Sequence, residues 1–412
     1  MILRDVRLLS GDEEFEDAAI RIDPGTGTVD AVGDVERRDD EPVVSVPGRT
    51  VLPGLVDAHV HFSLSGERSV ESVVGLSDPE LTLVEARNAR ETLEAGVTGV
   101  RAMGARDVDV HVRDAIARGD VSGPRTVANC RSITITGGHG HHLGREIDGP
   151  ADARKAVREQ VARGAEFVKF MTTGGVTTPG TDPDAVALTD AELAALVDEA
   201  QARGVHTATH AHGAAGVKAA VAAGVDTVEH GTFLDEEAIE RMLAADTTLV
   251  PTLSAPYRIT RNAASATTDS VQKTEQVYER HIESFRAAAE AGVRIAGGTD
   301  AGTPFNFHGA NASEIQFMAE YGLSPRGAIR AMTETSAEVV GLDGSGTLTP
   351  GTHADLLVVD GNPLEDLTLL NDPEAVLKGG DLVAGSLAGG EWESGRGVSS
   401  GTPTGVTSTA RR

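Results

Sequence analysis

From Leu55 onward, short apolar runs alternate with longer segments whose apolar residues recur every three or four positions. The runs have strand length and the longer segments have the helical period. Strands are expected at residues 55–61, 96–101, 125–136, 167–172, 205–210, 227–230, 248–253 and 294–299. Helices are expected at 80–95, 151–163, 190–203, 214–223 and 270–291. Gly96, Gly164, Gly204, Gly224 and Gly292 close these helical patterns, where a residue free to adopt positive φ is favoured. Eight strands alternating with helices predict an α/β fold, a (β/α)8 TIM-like barrel. Residues 1–53 read differently, as short strands with turns at Asp23-Pro24-Gly25 and Pro47-Gly48. A strand pattern returns after Thr347, at 354–360, 375–378 and 381–384. The expected organisation is a barrel over 54–346 and a small β-sandwich module built from both chain ends, 1–53 and 347–394. Residues 395–412 are rich in Gly, Ser and Thr and are expected to form a disordered tail.

The length of 412 residues suits one barrel plus a small module. The formal charge of −27 argues against nucleic acid and anionic membranes as partners. Only five of the 36 basic residues are lysine. An acidic, lysine-poor surface of this kind suits a halophilic setting, where salt screens self-repulsion. The single Cys130 excludes an intramolecular disulfide framework and a thiolate-rich metal site. Any metal is then held by histidine and carboxylate. The first residues carry no signal-peptide pattern, and no apolar run is long enough to span a bilayer. A cytoplasmic protein with a small-molecule substrate, self-associating as a homo-oligomer, is expected.

Chemistry concentrates at the strand ends. His59 and His61 close the first barrel strand, and residues two apart on a strand project to one side. A lone His-x-His is weak as a metal signal. Here it has company: His210 ends the fifth strand, His230 the sixth and Asp300 the eighth, while Lys169 lies within the fourth. Each alone reads as a capped or turn residue. Together they share the rim where barrel enzymes place their catalytic groups. Lys169, flanked by Val168 and Phe170, is costly to bury as a cation. Burial favours its free amine, which reacts with CO2 to give a carbamate, an anion able to bridge two metals. A plain salt bridge to Asp300 is the competing reading.

These residues resemble the amidohydrolase superfamily. The matching pieces are Pro53-Gly54-Leu55-Val56-Asp57-Ala58-His59-Val60-His61, Val168-Lys169, His210, His230-Gly231, Gly298-Thr299-Asp300 and the segment from Gly351 to Pro363. The likeness spans about residues 1 to 390. Thr136-Gly137-Gly138-His139-Gly140 and the stretch from Lys169 to Gly175 are similar to an imidazolonepropionase-like branch that includes binuclear Xaa-Pro and Xaa-Arg/Lys dipeptidases. The resemblance implies two divalent metal ions. His59, His61 and Asp300 would hold the more buried ion, His210 and His230 the second, with carboxylated Lys169 bridging both. Imidazolonepropionases themselves use one metal and lack this lysine, so Lys169 argues against that assignment. Zinc suits the donors, and manganese or cobalt can substitute. Two metals acidify a bridging water, and the resulting hydroxide is the expected nucleophile. Asp300 is expected to move the proton to the leaving amine.

Substrate contacts are expected from His139 and His142, in the glycine-rich loop after the third strand, and from Tyr257 after the seventh. His141 reads as an ordinary loop residue, His308 as either a substrate contact or a helix cap, and His212 as ambiguous. His111, His206, His281 and His353 read as structural or surface. The expected activity is hydrolysis of an amide bond in a dipeptide or N-acyl amino acid. Cyclic-amide or lactone hydrolysis is the alternative, and a non-catalytic barrel scaffold is a third reading.

Overall fold

The structure is a computed structural model that describes residues 1–262 and 268–387. The expected tail at 395–412 lies outside the described residues. Nine short strands from Leu55–Val60 to Thr248–Val250 are all parallel and fall into two sheets. One sheet orders Leu55–Val60, Val97–Ala102 and Arg125–Ala128. The other runs Arg145–Ile147, Ile133–Ile135, Phe167–Met171, His206–Gly213, Thr227–Phe233 and Thr248–Val250. Their strands are buried on both faces, as parallel strands covered by helices require. The helices lie between them in sequence and supply Leu193, Leu196, Val217 and Met242 to the shared core.

The sheets are joined at two places. Glu166 N donates to Ala128 O at 2.9 Å on one side. On the other, residues 294–301 fill the gap between Thr248–Val250 and Leu55–Val60. Ala296 N donates to Leu249 O at 3.0 Å, and Ala58 N donates to Gly297 O at 2.9 Å. This segment was expected as the eighth strand. It makes only isolated bridges, at Ile295 and Ala301. Gly297 and Gly298 explain the irregularity: a Cβ on Gly298 would stand 2.5 Å from Val250 Cγ1 and 2.9 Å from His59 Cβ. Close nesting is gained and a regular ladder is lost. The expected third strand is also divided, into Arg125–Ala128 and Ile133–Ile135.

The two chain ends share one eight-stranded sheet. Leu356–Asp360 pairs antiparallel with Arg49–Pro53, which pairs in turn with Ile2–Ser10. This sheet has its own core around Leu3, Ile20, Val51, Leu356 and Val358. Arg125 ties it to the central strands through two bonds to Asp355, at 2.7 and 3.1 Å.

Candidate metal and catalytic site

Asp300 Oδ1 lies 3.2 Å from His59 Nε2 and 3.3 Å from His61 Nε2. The three groups offer ligand atoms within 4.8 Å of one another. His59 Nδ1 stands 2.7 Å from Glu229 Oε2, a carboxylate that only accepts, so Nδ1 carries the proton. In the neutral ring Nε2 then presents a lone pair toward Asp300. Lone pairs of nitrogen and carboxylate oxygen aimed at one point call for a cation between them. Burial alone would raise the Asp300 pKa, but a proton or cation shared with His59 and His61 holds the carboxyl below its usual range.

A second group adjoins the first. The His230 ring lies 5.2 Å from that of His59 and 4.6 Å from that of His210. His210 Nε2 donates to Gly174 O at 3.0 Å, leaving Nδ1 open. His230 Nδ1 is engaged by Thr252 Oγ1 at 2.7 Å, leaving Nε2 open. Burial, then the neighbouring imidazoles, lowers both pKa values and keeps the rings neutral. Lys169 is 1% exposed, and its Nζ has no hydrogen-bond partner among the described residues. Burial pulls its pKa from 10.5 to about 8, although Glu229 and Asp300 oppose the shift. The salt bridge to Asp300 weighed from sequence is not formed. An orphaned, buried amine of this kind is costly unless something engages it.

The backbone is shaped for this convergence. His230, Thr252 and Asp300 have positive φ, at 74°, 54° and 59°. Left-handed backbone is uncommon for threonine and histidine, and it tends to gather at functional sites. His230 lies within the strand Thr227–Phe233, Thr252 just past Thr248–Val250, and Asp300 in the irregular segment 294–301. His139 reaches over Gly175, where a Cβ would lie 2.4 Å from the His139 ring. Only glycine admits that approach.

Several supporting residues went unread in the sequence. Glu229 is fully buried and receives bonds from His59 Nδ1, from Arg101 Nη2 at 2.8 Å and from Thr227 Oγ1 at 2.5 Å. Burial opposes its ionisation, but Arg101, Lys169 and His59 hold the pKa below the usual range. Arg101 also donates to Ala58 O at 2.8 Å, so it positions the strand carrying His59. Asp57 accepts from Thr299 N and Oγ1, at 3.0 and 2.6 Å, and from Asn311 Nδ2 at 2.7 Å. It thereby pins the Asp300 segment to the His59 strand. The readable signal was alternation: Asp57 shares a strand face with His59, and Glu229 sits one residue before His230.

His281 Nε2 donates to Pro251 O at 2.7 Å. Burial lowers its pKa to about 4, so its Nδ1 is an acceptor. Thr232 Oγ1, 2.8 Å away, must donate to it and can then only accept from His212 Nδ1, at 2.7 Å. His212 is thus fixed with Nε2 bare, its ring stacked on His230 at 4.9 Å. Both His212 and His281 line the cavity above the site. For His281 this revises the structural or surface reading.

The other expected contacts divide. His139 and His142 line the cavity. His141 packs on His142 with ring centres 3.7 Å apart. Tyr257 does not line it. In the helix Ser254–Arg261 the cavity is faced by Ala255, Pro256 and Ile259, and Tyr257 falls on the opposite side. Its ring packs on Phe317 at 4.6 Å. His308 donates to Leu64 O and His61 O, at 2.9 and 3.2 Å, and so braces the loop after His61. His111 and His206 are exposed, and His353 is half-buried beside the end sheet.

Known proteins share this arrangement of chain. Residues 50–383 match the profile of the Amidohydrolase family. The chain is 30% identical over 369 residues to an ochratoxinase of Aspergillus niger, covering 81% of this chain and 76% of that protein. Its fold is similar to the crystal structure of a Xaa-Pro dipeptidase with methionine in the active site. The TM-score is 0.85 at 32% identity, over 92% of this chain and 98% of the other. A prolidase complexed with N-methylphosphonate-L-proline matches with the same score and coverage at 30% identity.

Proposed function

The chain belongs to the amidohydrolase family, and we propose that it is a binuclear metal hydrolase cleaving an amide bond in a dipeptide or N-acyl amino acid. Amidohydrolases use divalent metal ions and act on carbon–nitrogen bonds, and this chain carries the His59–His61–Asp300 group for such an ion. Its neighbours include a Xaa-Pro dipeptidase and a prolidase. We read the architecture as a TIM-like (β/α)8 barrel over 54–346, with a β-sandwich module from 1–53 and 347–394. Residues 388–394 of that module lie outside the described residues.

The observation that carries the binuclear reading is Lys169, buried, with an Nζ that has no partner among the described residues and that acts electrostatically on His210 and His230. A neutral amine adds CO2 and releases one proton, giving a carbamate with two oxygens. His59, His61 and Asp300 would hold one ion and His210 and His230 a second, with the carbamate supplying negative charge to both. The nitrogen and carboxylate donors favour zinc. Bound metal would supply Lewis acidity, acidifying a water and polarising the scissile carbonyl. Asp300, kept ionised, takes a proton from the attacking water and returns it to the departing amine nitrogen. Glu229 holds the His59 tautomer throughout. His139 and His142 offer hydrogen bonds to the substrate's carbonyl or carboxylate.

The test joins elemental analysis to turnover. Protein loaded with zinc and bicarbonate is expected to retain two ions per chain and to hydrolyse members of a dipeptide and N-acyl amino acid panel. A folded protein that takes up no metal would sink the proposal.

A further inference from the structure

Above the charged floor, the cavity changes character. Its water-accessible volume is about 140 Å3. Among its described lining residues, Lys169 and Asp300 are the only lysine, arginine, aspartate or glutamate, and both are buried at the floor. The rest of the wall is mostly aliphatic, with Val70, Val74, Leu143, Val176, Ile259 and Val277, interrupted by His142, Thr177, Thr178 and Thr274. These come from separate segments, the loop after His61, the loop after His139, the loop after Lys169, and two helices. The apolar surface therefore surrounds the floor instead of covering one side. Val74 is 40% exposed, so the aliphatic surface continues out to the lip.

The contrast with the rest of the molecule is physical. The chain carries 63 acidic residues, yet among the described lining residues Asp300 alone is acidic. Among the described lining residues, a basic side chain finds no carboxylate apart from the one committed to His59 and His61, and an acidic side chain finds no guanidinium. Either would leave water without a partner, which is strongly unfavourable. An aliphatic or aromatic side chain loses nothing and buries area.

We propose that the substrate carries an uncharged apolar side chain next to the scissile amide, and that acidic and basic side chains are rejected on either side of it. This rests on the amide-hydrolase reading above and specifies its substrate class. It favours an Xaa-Pro-like or N-acyl-leucine-like substrate over an Xaa-Arg or Xaa-Lys one.

Two substrate series test it on the metal-loaded full chain: N-acetyl-Xaa and Xaa-Pro, with Xaa as Leu, Phe, Asp or Arg. In the series that turns over, kcat/KM for Leu and Phe is expected to exceed that for Asp and Arg by about 100-fold. A ratio below tenfold overturns the inference and leaves the hydrolase reading standing. Equilibrium dialysis with N-acetyl-leucine, N-acetyl-aspartate and N-acetyl-arginine separates the two failures. Without turnover but with selective retention of N-acetyl-leucine, the hydrolase reading fails and the apolar cavity stands. Neither turnover nor selective retention overturns the inference. Val74→Arg, at an exposed position, is expected to lower the Leu-to-Asp ratio at least fivefold with an unchanged melting temperature. An unchanged ratio would count against the wall as the selecting element.

Discussion

The two halves of the cavity floor solve the same problem differently. In one, His59 and His61 face Asp300 at 3.2 and 3.3 Å, so an anion is built into the chain. In the other, His210 and His230 face each other and Lys169, and burial and mutual repulsion suppress their protonation. The first half can collect a cation as it stands. The second offers neutral nitrogens and an amine without a partner, and it lacks an anion of its own. The difference teaches that the lysine is the site's incomplete part, which chemistry after folding would complete.

The comparison breaks most sharply at Asp300. Asp300→Ala removes the built-in anion and, on the proposed mechanism, the proton carrier together. A loss of kcat/KM of at least about a thousandfold is expected, with the fold retained by circular dichroism. Activity within tenfold of the parent would show that the first half does not hold the chemistry.

Lys169→Ala tests the other half. If the site is binuclear as proposed, one of two metal equivalents is expected to leave, with about a hundredfold to thousandfold loss of kcat. Short-chain carboxylates should restore part of both, because they supply the anion that the second half lacks. Elemental analysis reads the metal directly. Two retained equivalents in the variant would show that no bridging group from Lys169 is needed.

Glu229→Gln sharpens the contrast by loosening His59 without touching a ligand. Metal affinity is expected to fall about 10–100-fold, read by competition with a chelator. The amide can still accept from His59 Nδ1 but no longer balances Arg101. An unchanged affinity would reduce Glu229 to a packing residue.

The halves also separate by pH in the metal-free protein. His212 and His281 have folded pKa values of about 3 and about 4, lowered from 6.5 first by burial. Between pH 6.5 and 4 the unfolded chain binds more protons than the folded one, so stability falls as pH falls. Asp300 acts in the same direction but lower, because its folded pKa lies below the ordinary 3.8. The melting temperature is expected to drop by several degrees from pH 7 to 5, offset in part by Glu314 and Asp109, whose carboxyl pKa values burial raises to about 8 and about 7. A flat profile over that interval would mean that these imidazoles are hydrated.

How much of this the sequence disclosed depended on periodicity. His59, His61, His210 and His230 were legible because apolar runs mark strands, and polar residues at their ends stand out. The eighth segment was legible as a run but not as an irregular one, since Gly297 and Gly298 act through neighbours distant in sequence. Glu229 and Arg101 were missed because both lie inside strands, where a charge is legible only once its partner is known. Tyr257 was misplaced by helical phase: one residue's rotation moved it from the cavity to Phe317. His281 sits in the long helix Thr268–Ala291, and which face of that helix meets the cavity is settled by packing.

The smallest expected effect concerns Thr232, which joins the second half to the helix behind it. Its hydroxyl donates to His281 and accepts from His212, fixing both tautomers. Thr232→Val keeps the shape and removes both bonds. Two buried imidazole nitrogens then lose their partner, costing about 1–3 kcal/mol of stability. His212 is freed to place its proton on Nε2, which replaces an acceptor in the cavity with a donor. A fall of several-fold in kcat/KM is expected, with both metal equivalents retained, since neither half of the floor loses a ligand. Loss of a metal in this variant would mean that His212 itself belongs to the second half. The division drawn between ligand and support would then have to move by one residue pair along the His206–Gly213 strand.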